Sequence, residues 1–186
     1  MKGLIIIPDF TGFTGFVKNI DIELGVSITS ELINTIIDNN TLGLVVSEIE
    51  GDAVLFFKLG EPVNLTEVFD GLKIMHGAFN RKLRELSAQH HLDVNLSLKF
   101  IVHYGELSVY DIQGFKKLFG QTVIEAHSLL KNGAGQTNYI LLTQDYISSN
   151  SDATCFQSAY WKYNSSRSTM VKGLRSIDYS FYTYAA

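Results

Sequence analysis

The chain has 186 residues, of which 46% are hydrophobic and 18% charged, with a formal charge of −4. That length and apolar share suit a globular chain with a sizeable core, expected as a single domain over residues 1–186. With 15 Lys and Arg against 19 Asp and Glu, neither a nucleic acid nor a membrane is expected as a partner, because both anionic surfaces need clustered basic residues.

Cys155 is the only cysteine, so no intrachain disulfide can form and a cytoplasmic location is expected. The apolar run ahead of Pro8 and Asp9 is too short for a signal peptide or a membrane span.

Leu4 to Ile7 is an unbroken apolar run, which predicts a strand covered on both faces and stopping at Pro8. Asp9 and Thr11 then lead into a short helix from about Gly12 to Lys18. A second helix follows, with Ser27 or Ser30 as its cap and Ile28, Leu32 and Ile36 on one face, ending at Asn39 and Asn40. Residues 42–49 and 53–58 are β-rich and flank Glu50-Gly51-Asp52, predicting a hairpin with Asp52 at or beside its turn.

Asn64 and Glu67 form a capping-box pattern ahead of a long helix. Its stripe Leu65, Val68, Leu72, Met75, Phe79, Leu83 and Leu86 should lie on the sheet. Residues 94–104 predict a strand, 107–112 and 117–119 a second hairpin, and Thr122 with Glu125 a capping box for a helix through Leu130. The run Asn132-Gly133-Ala134-Gly135 should terminate that helix. Strands are predicted at 139–143, around 160–163 and at 177–184, with Ser-rich loops at 148–152 and 164–168.

This order contains a β-α-β-β-α-β core of the ferredoxin-like type, so the fold class expected is α+β. In that topology the end of the first strand and the turn of the following hairpin fall on the same side, which brings Asp9 towards Asp52. Two carboxylates at one place repel unless a cation lies between them, and an all-oxygen donor set suits Mg2+ or Mn2+. Taken separately, each acid also has a plainer role as a turn residue. No G-x-S-x-G or Walker A run is present, and His76, His103 and His127 share no metal-ligand spacing.

Asp9-Phe10-Thr11-Gly12-Phe13-Thr14 resembles the D-I-x-G-F-T motif of class III adenylate and guanylate cyclase catalytic domains. Glu50-Gly51-Asp52 is similar to the segment that carries their second metal aspartate. His103-Tyr104-Gly105-Glu106, Phe119-Gly120-Gln121-Thr122-Val123 and Val171-Lys172-Gly173-Leu174 resemble the H-T-G, F-G-D-T-V and V-K-G segments, all in family order over about residues 3–184. The stretches around IEGDAVLFF and VIEAHSLLKN are similar to a divergent bacterial branch related to these cyclases.

The resemblance implies a nucleotidyl cyclase-like fold, a homodimer, and metal ligation by Asp9 and Asp52 with the carbonyl of Phe10. It implies phosphate contacts from the backbone of Thr11, Gly12, Phe13 and Thr14, with Lys172 near a terminal phosphate. Glu48 falls at a base-reading position, where a carboxylate would accept from guanine N1 and N2, and Lys117 falls at the other, where the family usually carries Asp or Cys.

The departures are equally specific. Active family members carry an Asn and, four residues later, an Arg on the helix after the T-V segment, and here those positions are Ile124 and Ser128. Losing one transition-state donor of that kind costs on the order of a hundred- to a thousandfold in rate. The expected function is therefore a cyclase-like domain that binds a purine nucleoside triphosphate with divalent metal and turns it over weakly or not at all. An active guanylyl-type cyclase is the alternative, with replacement donors such as Lys117, His127 or Lys131. A ferredoxin-like interaction domain without nucleotide is the third reading.

Overall fold

The computed structural model describes residues 1–131, 138–150 and 158–184. Along the chain these form β1 (Lys2–Thr11), α1 (Phe13–Asn19), α2 (Ile22–Asp38), β2 (Val45–Glu50), β3 (Ala53–Leu59), α3 (Leu65–His90), β4 (Ser97–Glu106), β5 (Ser108–Ile112), β6 (Phe115–Phe119), α4 (Gln121–Leu129), β7 (Tyr139–Thr143), α5 (Gln144–Ser148), β8 (Trp161–Met170) and β9 (Ser176–Tyr184). Seven strands make one sheet in the order β2-β3-β1-β4-β7-β9-β8, and β5 with β6 makes a separate two-stranded arm. Within the sheet, β2-β3-β1-β4 with its helices is the ferredoxin-like βαββαβ core, so the α+β class read from the sequence holds.

β1 is covered on both faces, as its unbroken apolar run implies. Leu4, Ile6 and Phe10 pack with Ile28, Leu32 and Ile36 of α2 and with the predicted stripe of α3, while Ile5 and Ile7 pack with Ala126 and Leu129 of α4. Every predicted stripe residue of α3 is buried. Burying a Leu, Ile, Met or Phe side chain contributes about 1.5–3 kcal/mol, so this helix anchors the sheet from one side.

β1 does not stop at Pro8 but continues to Thr11. The missing proline N–H is tolerated because pairing with β3 lapses between Ile6 opposite Phe56 and Asp9 opposite Ala53. Asp9 is therefore a strand residue directly opposite Lys99 of β4, not a residue leading into a helix.

Three other expectations are corrected. α2 starts earlier, capped by Asp21, whose carboxylate accepts from the N–H groups of Glu23 (3.0 Å) and Leu24 (3.2 Å), so Ser27 and Ser30 lie inside the helix. No Thr122 and Glu125 capping box forms on α4. The Thr122 hydroxyl donates to the Glu106 carbonyl at 2.7 Å, and Glu125 points into the interior.

Residues 164–168 are strand rather than loop. Among the described residues β8 is the sheet edge, paired only with β9, and an edge strand facing water needs no apolar alternation. The short α5 went unpredicted, and the glycine-rich break at 132–135 lies outside the described residues.

Candidate functional site

The predicted approach of the two acids is met. Asp9 sits at the end of β1 opposite Ala53, and the Phe10 N–H donates to the Asp52 carbonyl at 3.3 Å. Asp52 is held there by the β2-β3 turn, where Gly51 takes a positive φ of 60°. Burial and the neighbouring Asp9 charge push the Asp52 carboxyl up to about 6. Burial also raises the Asp9 carboxyl, opposed by the hydrogen bond and charge of Lys99.

Lys99 is not among the site residues expected from the sequence, yet its ammonium lies 2.7 Å from Asp9 Oδ2. It also donates to the Leu130 carbonyl at 3.4 Å, at the C-terminal end of α4. A signal was available: Lys99 is the single charge between Leu98 and Val102 in an otherwise apolar strand segment.

Beyond Asp9, Thr11 projects to the same face of β1 by strand alternation, and its hydroxyl is buried without a hydrogen-bond partner among the described residues. Gly12 follows with φ 91°, and a Cβ there would lie 2.5 Å from the Asn95 carbonyl oxygen. Gly12→Ala combines a left-handed backbone with a backbone clash and is expected to cost about 1–3 kcal/mol or more. Urea denaturation checks this, and an unchanged midpoint would contradict it. No side chain caps α1, whose first turn carries Phe13 and Thr14.

Glu48 and Lys117, the two base-reading candidates, also converge. They form an ion pair between β2 and β6, and His127 Nε2 of α4 lies 3.7 Å from Glu48 Oε1. The pairing register between β2 and β3 shifts between Val46 and Glu48, an irregularity of the kind that re-aims a side chain.

Two further positions singled out in the sequence lie on α4. Ile124 is 56% exposed, and the Ser128 hydroxyl is spent on the Ile124 carbonyl at 2.8 Å. Lys172 is not brought to Asp9 within one chain. β7 runs parallel to β4, β9 antiparallel to β7 and β8 antiparallel to β9, which places the β8-β9 turn at the opposite end of the sheet.

Among the described residues no group of three or more His, Cys, Asp or Glu is placed to hold a metal. The donors at the β1 end are nevertheless all oxygen: two carboxylates, the Phe10 carbonyl and the orphaned Thr11 hydroxyl. That set fits a hard divalent cation, with Lys99 as the charge already facing Asp9.

A broad cleft of about 890 Å³ lies at the other end of the sheet, lined in part by Gln121, Glu125, Asp145 and Arg175. Beneath it is an ionic network that sequence reading missed. His103 Nε2 donates to Glu125 Oε2 at 2.9 Å, and Arg175 donates through Nε and Nη2 to both oxygens of Glu125, at 2.7 and 3.0 Å. Arg175 also grips Asp145 with two bonds, and Gln121 donates to Glu125 at 2.9 Å. Burial pushes the Glu125 carboxyl up, but these donors outweigh it and hold it well below the usual carboxylate range.

Comparison with solved structures gives the class of fold. The guanylyl cyclase Cya2 superposes with TM-score 0.73 at 14% identity, covering 100% of this chain and 93% of that one. The adenylyl cyclase CyaB from P. aeruginosa gives TM-score 0.69 at 16% identity, covering 100% and 94%. A class III adenylyl cyclase-like ATP-binding protein from Pseudomonas aeruginosa gives 0.64 at 16% identity, covering 82% of this chain and 35% of that one. The fold is that of class III nucleotidyl cyclase domains.

By sequence, residues 29–139 match the family described as "Protein of unknown function (DUF2652)", and the chain belongs to that family. It is also 28% identical over 121 residues to "Uncharacterized protein Rv2561/Rv2562" of Mycobacterium tuberculosis (strain ATCC 25618 / H37Rv), a match covering 61% of this chain and 56% of that protein. No helix among the described residues is long and apolar enough to cross a membrane.

Proposed function

We propose that this chain is a nucleotide-binding module built on the cyclase fold, taking a purine nucleoside triphosphate together with Mg2+ or Mn2+ and turning it over poorly. The observation that carries this reading is the meeting of Asp9 and Asp52 beside Lys99 at the end of β1. Asp9, Asp52 and the Phe10 carbonyl would hold the cation, which when bound neutralises the triphosphate. Thr11, Gly12, Phe13 and Thr14 follow the metal position, and their backbone N–H groups would take the phosphates. Glu48 faces the purine, with Lys117 as its partner: the carboxylate accepts from guanine N1 and N2 while the ammonium donates to O6.

The weak turnover follows from α4. An isoleucine side chain donates no hydrogen bond, and the Ser128 hydroxyl is committed to its own helix. Neither stabilises charge developing on phosphorus.

Mn2+ with GTP or ATP is expected to raise the melting temperature, and Asp9→Ala to abolish the rise. At ligand concentrations of about a hundred times Kd the gain is about 2.7 kcal/mol, or roughly 5–10 °C for a chain of this size. An unchanged melting temperature across all metal and nucleotide pairs would sink the reading.

A second reading, an active guanylyl-type cyclase, draws support from features that suit a homodimer. Phe115 and Phe119 on the β5-β6 arm are 71% and 72% exposed, and Ile112 beside them and Ile124 on α4 are also open. Such an apolar set suits a second copy, and a partner's turn between β8 and β9 would supply Lys172. Metal-dependent cyclic nucleotide formation by the wild-type chain, lost in Asp52→Ala, would establish this reading over the first.

A further inference from the structure

Lys99 faces Asp9 from β4, whereas Asp52 reaches it from the β3 side, so one of the two carboxylates already has a cation beside it. Its side chain is 16% exposed and that of Asp9 14%, so the 2.7 Å contact is largely withdrawn from water, where charge-assisted hydrogen bonds are strong. The two residues are directly opposite each other on β1 and β4, so the backbone ladder holds them in register. The Leu130 carbonyl at the end of α4 takes a second bond from the same ammonium, and cations favour that end of a helix.

A divalent ion that takes Asp9 Oδ2 must therefore displace the ammonium already bonded to that oxygen, and the displaced ammonium needs another anion to face. A triphosphate supplies that anion and an ion supplies Asp9 with a new partner, but either one alone leaves a charge stranded. We infer that Lys99 makes metal and nucleotide binding mutually dependent: its ammonium keeps divalent ions off Asp9 until phosphate oxygens draw it away. This rests on the metal and nucleotide reading given above and specifies how that site is gated. Coupling of this kind is reciprocal, so the ion should strengthen nucleotide binding by the same factor that the nucleotide strengthens ion binding.

The test is a Mn2+ titration followed by electron paramagnetic resonance, with and without GTP, on the wild type, Lys99→Met, Lys99→Gln and Lys99→Arg. Circular dichroism checks the fold of each. The wild type should bind Mn2+ alone weakly and gain at least fivefold in Mn2+ affinity when GTP is added, within the usual range of coupling. Lys99→Met and Lys99→Gln should each bind Mn2+ alone about tenfold tighter or more, with the GTP effect reduced. Lys99→Arg, which keeps the charge, should stay close to the wild type.

Neutral variants that bind Mn2+ alone no more tightly than the wild type would overturn the inference, even if the wild type binds Mn2+ with GTP. Tighter Mn2+ binding by the neutral variants, in a chain that takes up no nucleotide, would keep the competition between Lys99 and the ion while removing the proposed ligand. The failure of the gate and the failure of the function are thereby told apart.

Discussion

Glu125→Ala is expected to lower the melting temperature by roughly 6–12 °C, corresponding to about 3 kcal/mol. This lies at the lower end for a broken buried ion pair because Arg175 is partly open to water and keeps Asp145. The cost arises mainly at His103, which is fully buried and loses its Nε2 partner. Calorimetry or fluorescence melting checks it, and a loss of less than about 1 kcal/mol would mean that the network is incidental.

The same group predicts an acid dependence. Because the folded carboxyl of Glu125 is held below its ordinary value, the stability it contributes is present above the unfolded carboxyl's pKa, about 4.3. It is lost as the pH falls from there towards the folded value. Glu125→Gln should flatten that acid limb relative to the wild type, and parallel pH profiles for the two would contradict the assignment.

The second large effect concerns turnover. In the proposed reading, Ile124→Asn combined with Ser128→Arg should raise cyclic GMP formation from Mn2+ and GTP by on the order of a hundredfold or more over the wild type. The positions are four apart on α4 and Ile124 is already open to solvent, so the exchange leaves the core intact and should shift stability by only about 0.5 kcal/mol. Adding Asp9→Ala to the pair should return the rate to background. A variant that binds nucleotide normally but gains no rate would show that missing donors on α4 are not what limits this chain. The weak turnover would then need another cause, such as the ion pair that Lys117 makes with Glu48.

Glu125 shows how a local pattern can mislead. Thr122 followed three residues later by an acid reads as a helix start, because the two side chains normally satisfy each other's backbone donors. In the folded chain Thr122 instead bonds the Glu106 carbonyl, and Glu125 falls among the buried residues Thr122, Ala126 and Leu129. Those positions have the spacing of an inward-facing helical stripe, so an acid on it was a legible sign of a buried partner. Which partner it would meet was not legible, since His103 and Arg175 lie 22 and 50 positions away in the chain.

What could be read directly was whatever depends on short spacings. The apolar run of β1, the stripe of α3 and the turn at Glu50-Gly51-Asp52 each follow from local periodicity and turn chemistry. Once the ferredoxin-like order was recognised, topology alone brought Asp9 to Asp52. Folding decided which charges face one another. Lys99 reaches Asp9 across 90 positions because antiparallel pairing puts them in register, Lys117 reaches Glu48 across 69, and Lys172 is carried to the far end of the sheet by successive strand reversals. The physical reason is that periodicity reports which face of an element is buried, whereas the partner of a buried charge is set by strand register and packing, which no short stretch of chain contains.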